Sequence, residues 1–197
     1  MNLVENKQAG PASGRMISRR RVLSMGLTAL AFGCIPSVAS AALEGIAAPE
    51  RRLCFYNPYT GEKLDTAYWR EGRYIPEGIE GINYILRDIR TGKVKDMDRK
   101  LLDLLFALNR ELGNSKPFHI ISGYRTPRSN ALLRKRKKGV AKNSLHIYGK
   151  AVDIHVPPYD IRDVRRAAVR LRGGGVGYYP HSKSLHLDVG SVRYWRG

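Results

Sequence analysis

Two short segments restrict this chain more than anything else in its 197 residues: SLHIYGKAVDIH at Ser144–His155 and SLHLD at Ser184–Asp188. Each ends in an extended apolar run interrupted by polar residues at every second position. On a strand, alternate side chains share a face. Asp153 and His155 therefore point the same way, and so do His186 and Asp188. If the two strands pair, four polar groups gather on one face of a sheet. His146 precedes the first strand, and Gly149 permits a sharp turn that brings it over that face.

Burying so many polar groups is costly unless they are paired or bound to metal. A zinc ion held by His146, Asp153 and His186, with one position open, would resolve the cost. Zinc lowers the pKa of a bound water and polarises a carbonyl, which is the chemistry of peptide hydrolysis. Asp188 and His155 are then candidates for accepting a proton, or for orienting a ligand from behind. Taken singly, each histidine also reads as an ordinary hydrogen-bonded core residue. There is no HExxH, so a helix-borne zinc site is excluded.

The N-terminus reads as an export signal. A basic head, SRRRVLS at 18–24, precedes a modest apolar core and an A-x-A pattern ending at Ala41. Ser-Arg-Arg-x-x-Leu resembles a twin-arginine signal, a route that exports folded proteins to the periplasm. A membrane anchor is the alternative, but the apolar run falls short of the ~20 residues that span a bilayer. A lipoprotein reading would use Cys34, and Phe32 is too large for the expected pattern. The expected organisation is a signal at 1–41, a linker at 42–50 and a catalytic domain at 51–197. Cleavage leaves Cys54 as the one thiol, which rules out an intrachain disulfide and a four-cysteine zinc site.

The formal net charge is +18, and +14 without residues 1–41. Such a surface needs an anionic partner or a compartment that tolerates it. The run Arg134–Lys138 is a solvated helix face or an attractor for anionic cell-wall or outer-membrane polymers. No aromatic-interleaved basic motif supports nucleic-acid binding.

Periodicity predicts strands at 51–56 and 62–69 around a turn, a helix at 77–90 ended by Thr91-Gly92, and a second helix to about Leu112 capped by Asp96 or Asp98. A strand at 118–121 leads into Ser122-Gly123-Tyr124-Arg125, and Thr126-Pro127 starts a further helix. A strand at 151–156, an amphipathic helix to Arg172, a flexible glycine-rich loop carrying Tyr178 and Tyr179, and a strand at 185–189 complete the chain. Strands and helices mix without βαβ alternation. The expected class is α+β, with a small antiparallel sheet carrying the zinc site and helices flanking it.

SGYRTPRSN, SLHIYGKAVDIHV and GGGVGYYPHSKSLHLDVG together resemble the zinc peptidases related to D-Ala-D-Ala carboxypeptidases, the LAS superfamily with the hedgehog/DD-peptidase fold. The likeness is strongest to MepK-type (YcbK-type) murein endopeptidases and runs over nearly the whole mature chain. SxHxxGxAxD is met in full by Ser144, His146, Gly149, Ala151 and Asp153. The resemblance implies zinc ligands at His146, Asp153 and His186, and a substrate-facing Arg125 with Ser122 and Tyr124 lining the same cleft. An ordinary structural ion pair is the other reading of Arg125. Many relatives carry an acidic base three positions before the last histidine; here that position is Lys183. The proton acceptor expected in its place is Asp188, or else His155.

The function these observations imply is a periplasmic zinc murein endopeptidase that cuts cross-links between peptidoglycan stem peptides. Its rivals are a D,D- or L,D-carboxypeptidase trimming stems, and a non-catalytic wall-binding protein with a vestigial metal site.

Overall fold

In the computed structural model, which describes residues 50–197, the chain is organised on one eight-stranded mixed sheet of order β3-β2-β1-β4-β5-β7-β6-β8. The signal, Cys34 and all of the expected linker but Glu50 lie outside the described residues. The strands are β1 (Glu50–Tyr56), β2 (Lys63–Arg70), β3 (Arg73–Tyr74), β4 (Phe118–Ser122), β5 (Ala151–His155), β6 (Gly175–Tyr179), β7 (Ser184–Asp188) and β8 (Arg193–Arg196). The helices are α1 (Pro76–Ile85), α2 (Arg99–Leu112), α3 (Pro127–Arg136) and α4 (Ile161–Leu171), with a 3-10 turn at Leu145–Tyr148. Among the described residues, no helix is long and apolar enough to cross a membrane.

The α+β class holds, and the sheet is larger than the small antiparallel one expected. Two pairings, β1 with β4 and β6 with β8, are parallel. The first is joined by a long crossover, through β2, β3, α1 and α2, as a parallel pairing requires. Capping follows the sequence where the chemistry is local. Asp98 accepts from Lys100 N to start α2, Thr126 from Ser129 N to start α3, and Asp160 from Arg162 N to start α4.

Strand alternation sorts the sheet into a dry face and a polar one. Leu53, Phe55, Phe118, Ile120, Val152, Ile154, Leu185 and Leu187 join the apolar faces of α2 and α4, through Leu101, Leu105, Leu108, Val164 and Ala168, in one buried cluster. Full burial of each large side chain contributes about 1.5–3 kcal/mol. The opposite face of β5 and β7 carries Asp153 and His186, which are directly paired across the ladder.

Two further expectations change. The helix predicted to reach residue 90 ends at Ile85. Residues 86–92 form a turn instead, because the carboxylate of Asp88, only 2% exposed, accepts from Arg90 N, Thr126 N and Thr126 Oγ1. That arrangement is incompatible with continued helix. Of the glycine-rich stretch read as a flexible loop, Gly173 and Gly174 lie outside any strand, while Gly175–Tyr179 is in fact β6. Its glycines answer to close approach, not to flexibility. A Cβ on Gly175 would sit 2.4 Å from Asp188 Oδ2, and one on Gly177 would sit 2.5 Å from the Trp195 ring.

Candidate metal centre

His146 comes to the polar face through the 3-10 turn. Gly149 closes that turn at φ +68, where its missing Cβ also avoids the Asp96 carbonyl. Arg125 N donates to the His146 carbonyl at 3.2 Å, and Val189 N donates to the Lys150 carbonyl at 3.1 Å, so the turn is tied to the loop after β4 and to the end of β7. His146 is wholly buried.

The three expected ligands converge. His146 Nε2 lies 3.2 Å from His186 Nδ1 and 3.3 Å from Asp153 Oδ1, and His186 Nδ1 lies 2.8 Å from Asp153 Oδ1. One donor atom from each falls within 4.8 Å of the others. The outer nitrogens fix the tautomers. His146 Nδ1 donates to the Gly123 carbonyl at 2.7 Å, and His186 Nε2 donates to Asp188 Oδ2 at 2.9 Å. With both imidazoles neutral, two lone pairs and a carboxylate oxygen face one another with no donor among them. A cation satisfies all three, and two imidazoles with one carboxylate suit zinc. This donor set therefore fits a zinc ion.

The electrostatics agree. Burial alone would raise the Asp153 carboxyl, but His146 and His186 outweigh it and hold it well below the usual carboxylate range. Burial lowers His146, more than Asp153 can offset. Burial would lower His186 too, but hydrogen bonds to Asp153 and Asp188 raise it.

Asp188 does not occupy a proton acceptor's position. It is fully buried behind His186, and its oxygens accept from His186, Gly175 N, Gly190 N and Arg193. Burial would raise it, but His186 and Arg193 hold it far below the usual range. Its geometry orients His186. His155 shares the polar face but sits one pleat away, against His119 at 5.9 Å between ring centroids. Burial, His119 and Lys183 lower its pKa. His155 is not among the residues lining the cleft, and neither is Lys183.

The centre opens on a cleft of about 1060 Å³ lined by Ser122, Tyr124, Arg125, Asp153, Tyr179 and His186, among others. Ser122 is the cross-strand neighbour of Asp153. Arg125 is 8% exposed and forms no ion pair among the described residues. Its Nη2 makes a 3.3 Å hydrogen bond to Ser144 Oγ, and its Nε has no partner. Burial lowers its pKa, with Asp153 pulling the other way. A structural ion pair is therefore not its role.

Sequence reasoning missed the C-terminal segment. Trp195 lies 5.1 Å from the His186 ring and donates from Nε1 to Tyr179 Oη at 3.1 Å, while Arg193 braces Asp188. Four residues forming a parallel edge strand carry no clear periodicity, so nothing in the sequence marked them. His181 also lines the cleft and was not singled out.

Comparison with known proteins gives a consistent result. The family described as peptidoglycan L,D-endopeptidase MepK matches residues 45–195. Peptidoglycan L,D-endopeptidase MepK of Escherichia coli (strain K12) is 40% identical over 179 residues, covering 90% of this chain and 97% of that protein. A Haemophilus influenzae protein named "Probable peptidoglycan L,D-endopeptidase MepK" is 37% identical over 182 residues, covering 91% and 96% respectively.

Proposed function

Because the chain belongs to the family described as peptidoglycan L,D-endopeptidase MepK, it is a peptidase acting on peptidoglycan, and we propose that it cuts L,D cross-links between stem peptides with a zinc ion held by His146, Asp153 and His186. The observation that carries this reading is the convergence of three lone-pair donors, each fixed from behind. Zinc bound there would act as a Lewis acid on the scissile carbonyl and lower the pKa of a water.

The protein's own residues do the rest. Gly123 and Asp188 hold the two imidazoles in the tautomers that aim Nε2 of His146 and Nδ1 of His186 at the same point. Arg125, buried and without a carboxylate partner, is placed to bind the substrate carbonyl or carboxylate and to stabilise charge developing there. Ser122 and Tyr124 line the cleft beside it. Asp188 acts through His186 as a positioning residue, not as the base. A cleft of about 1060 Å³ has room for peptide on both sides of a bond, as an endopeptidase requires. The export signal at 1–41, its twin-arginine type and a periplasmic location complete the proposal, since that is where the substrate lies.

Purified protein given an L,D-cross-linked muropeptide dimer and, separately, a monomeric stem peptide tests the reading. The expected result is dimer converted to monomers, with the monomeric stem left intact. Release of a terminal amino acid from the monomer, with the dimer untouched, would make the enzyme a carboxypeptidase instead.

A further inference from the structure

The early end of α1 places a second arginine in the cleft. Asp88 splits its carboxylate between two segments. Oδ1 accepts from Arg90 N at 3.0 Å, and Oδ2 accepts from Thr126 N and Thr126 Oγ1, both at 2.8 Å. Tyr124 N donates to the Leu86 carbonyl at 2.7 Å, and Gly92 N closes the turn on the Asp88 carbonyl at 2.8 Å. Residues 86–92 are thus fastened to the segment that carries Arg125.

The two arginines flanking Asp88 differ. Arg87 is paired with both oxygens of Glu62 at 3.0 Å and lies over the Tyr84 ring at 4.0 Å. The Arg90 side chain is exposed and, among the described residues, makes no hydrogen bond, ion pair or ring contact. It lines the same cleft as Arg125 and Asp153. Asp88 is buried and occupied by backbone and hydroxyl donors, so it does not neutralise either guanidinium by direct contact. Arg90 is also close enough to Arg125 for its charge to act on it, alongside the larger effect of burial. Asn57, wholly buried, adds an amide nitrogen with no partner to the lining. The Arg90 guanidinium, the Arg125 Nε and the Asn57 amide nitrogen all lack acceptors, and donors so grouped are placed for an anion.

We propose that Arg90 binds a free carboxylate of the stem peptide flanking the scissile bond, separate from the group that Arg125 faces, and so sets a preference for the free acid over its amide. Arg90 contributes binding, while Arg125 acts where charge develops. This rests on the reading of the cleft as a cross-link-cutting site.

Matched cross-linked dimers with that carboxylate either free or amidated decide it, assayed with wild type, Arg90→Gln and Arg90→Lys. Wild type should prefer the acid. In Arg90→Gln the KM for the acid dimer should rise about 10-fold or more, the loss falling on KM rather than kcat, and the acid-to-amide ratio of kcat/KM should collapse toward one. Arg90→Lys should recover part of the preference, since it keeps the charge but loses the planar fork. An acid-to-amide ratio unchanged in Arg90→Gln overturns the proposal, and so does a loss confined to kcat. A wild type that cuts neither dimer is a different failure: it removes the cross-link reading itself, whatever Arg90 does.

Discussion

At the scale of single residues, function depends on which nitrogen of each imidazole is engaged from behind. The spacing of His146, Asp153 and His186 pointed to a ligand set because strand parity is a property of the sequence. The part played by Asp188 was not legible in the same way. Parity placed it on the correct face, but only the register and ring orientation show that it receives His186 Nε2 and is sealed by Arg193. Arg125 stood out in its SGYR segment and lines the cleft, whereas Asp88 and Arg90 were hidden inside a stretch whose apolar period continued through them. Asp188→Asn should keep the volume but weaken the tautomer control of His186 and leave Arg193 without its counter-charge. Zinc affinity should fall about 10- to 100-fold, read by competition with a chromophoric chelator, with the far-ultraviolet circular dichroism retained. Affinity equal to wild type would assign Asp188 a purely structural role.

At the scale of elements, β7 is the hub of the site because all five of its residues are buried, with apolar side chains toward the helices and polar ones toward the metal centre. The burial of its polar side depends on elements the sequence did not announce. The 3-10 turn covers one end, and β8 covers the other through Trp195 against His186. Glycines in β6 are what let β8 approach, which is why a glycine-rich run that suggests a loop is a strand. Gly177→Ala would drive a Cβ into the Trp195 ring. The expected cost is about 1–3 kcal/mol, or roughly 2–12 °C in Tm for a domain of this size, with zinc affinity reduced as Trp195 leaves His186. A variant with wild-type Tm would show that β8 yields without penalty.

At the scale of the whole molecule, three properties act together: a dry helix-covered face, a polar face bearing the ligands, and a strongly basic cleft. The class and most helices and strands could be read from hydrophobic period and capping residues, because those signals are local. The eight-strand order with its two parallel pairs could not, because it depends on long-range pairing that no short segment encodes. The net charge of +18 was legible at once, but its meaning came from placement. Arg90, Arg125, Lys137, Lys138, Arg193 and Arg196 all line the cleft, against the carboxylates of Asp88 and Asp153, both already engaged. A site so arranged is suited to a substrate rich in carboxylates, with one cation supplied to the His-Asp-His centre. The most direct test is to strip the purified protein with a chelator, remove the chelator, and titrate zinc while following cleavage of the L,D-cross-linked dimer. The account predicts no cleavage by the stripped protein and full recovery at one zinc per chain, with His146→Ala inactive at every zinc concentration. Undiminished cleavage by the stripped protein would contradict it.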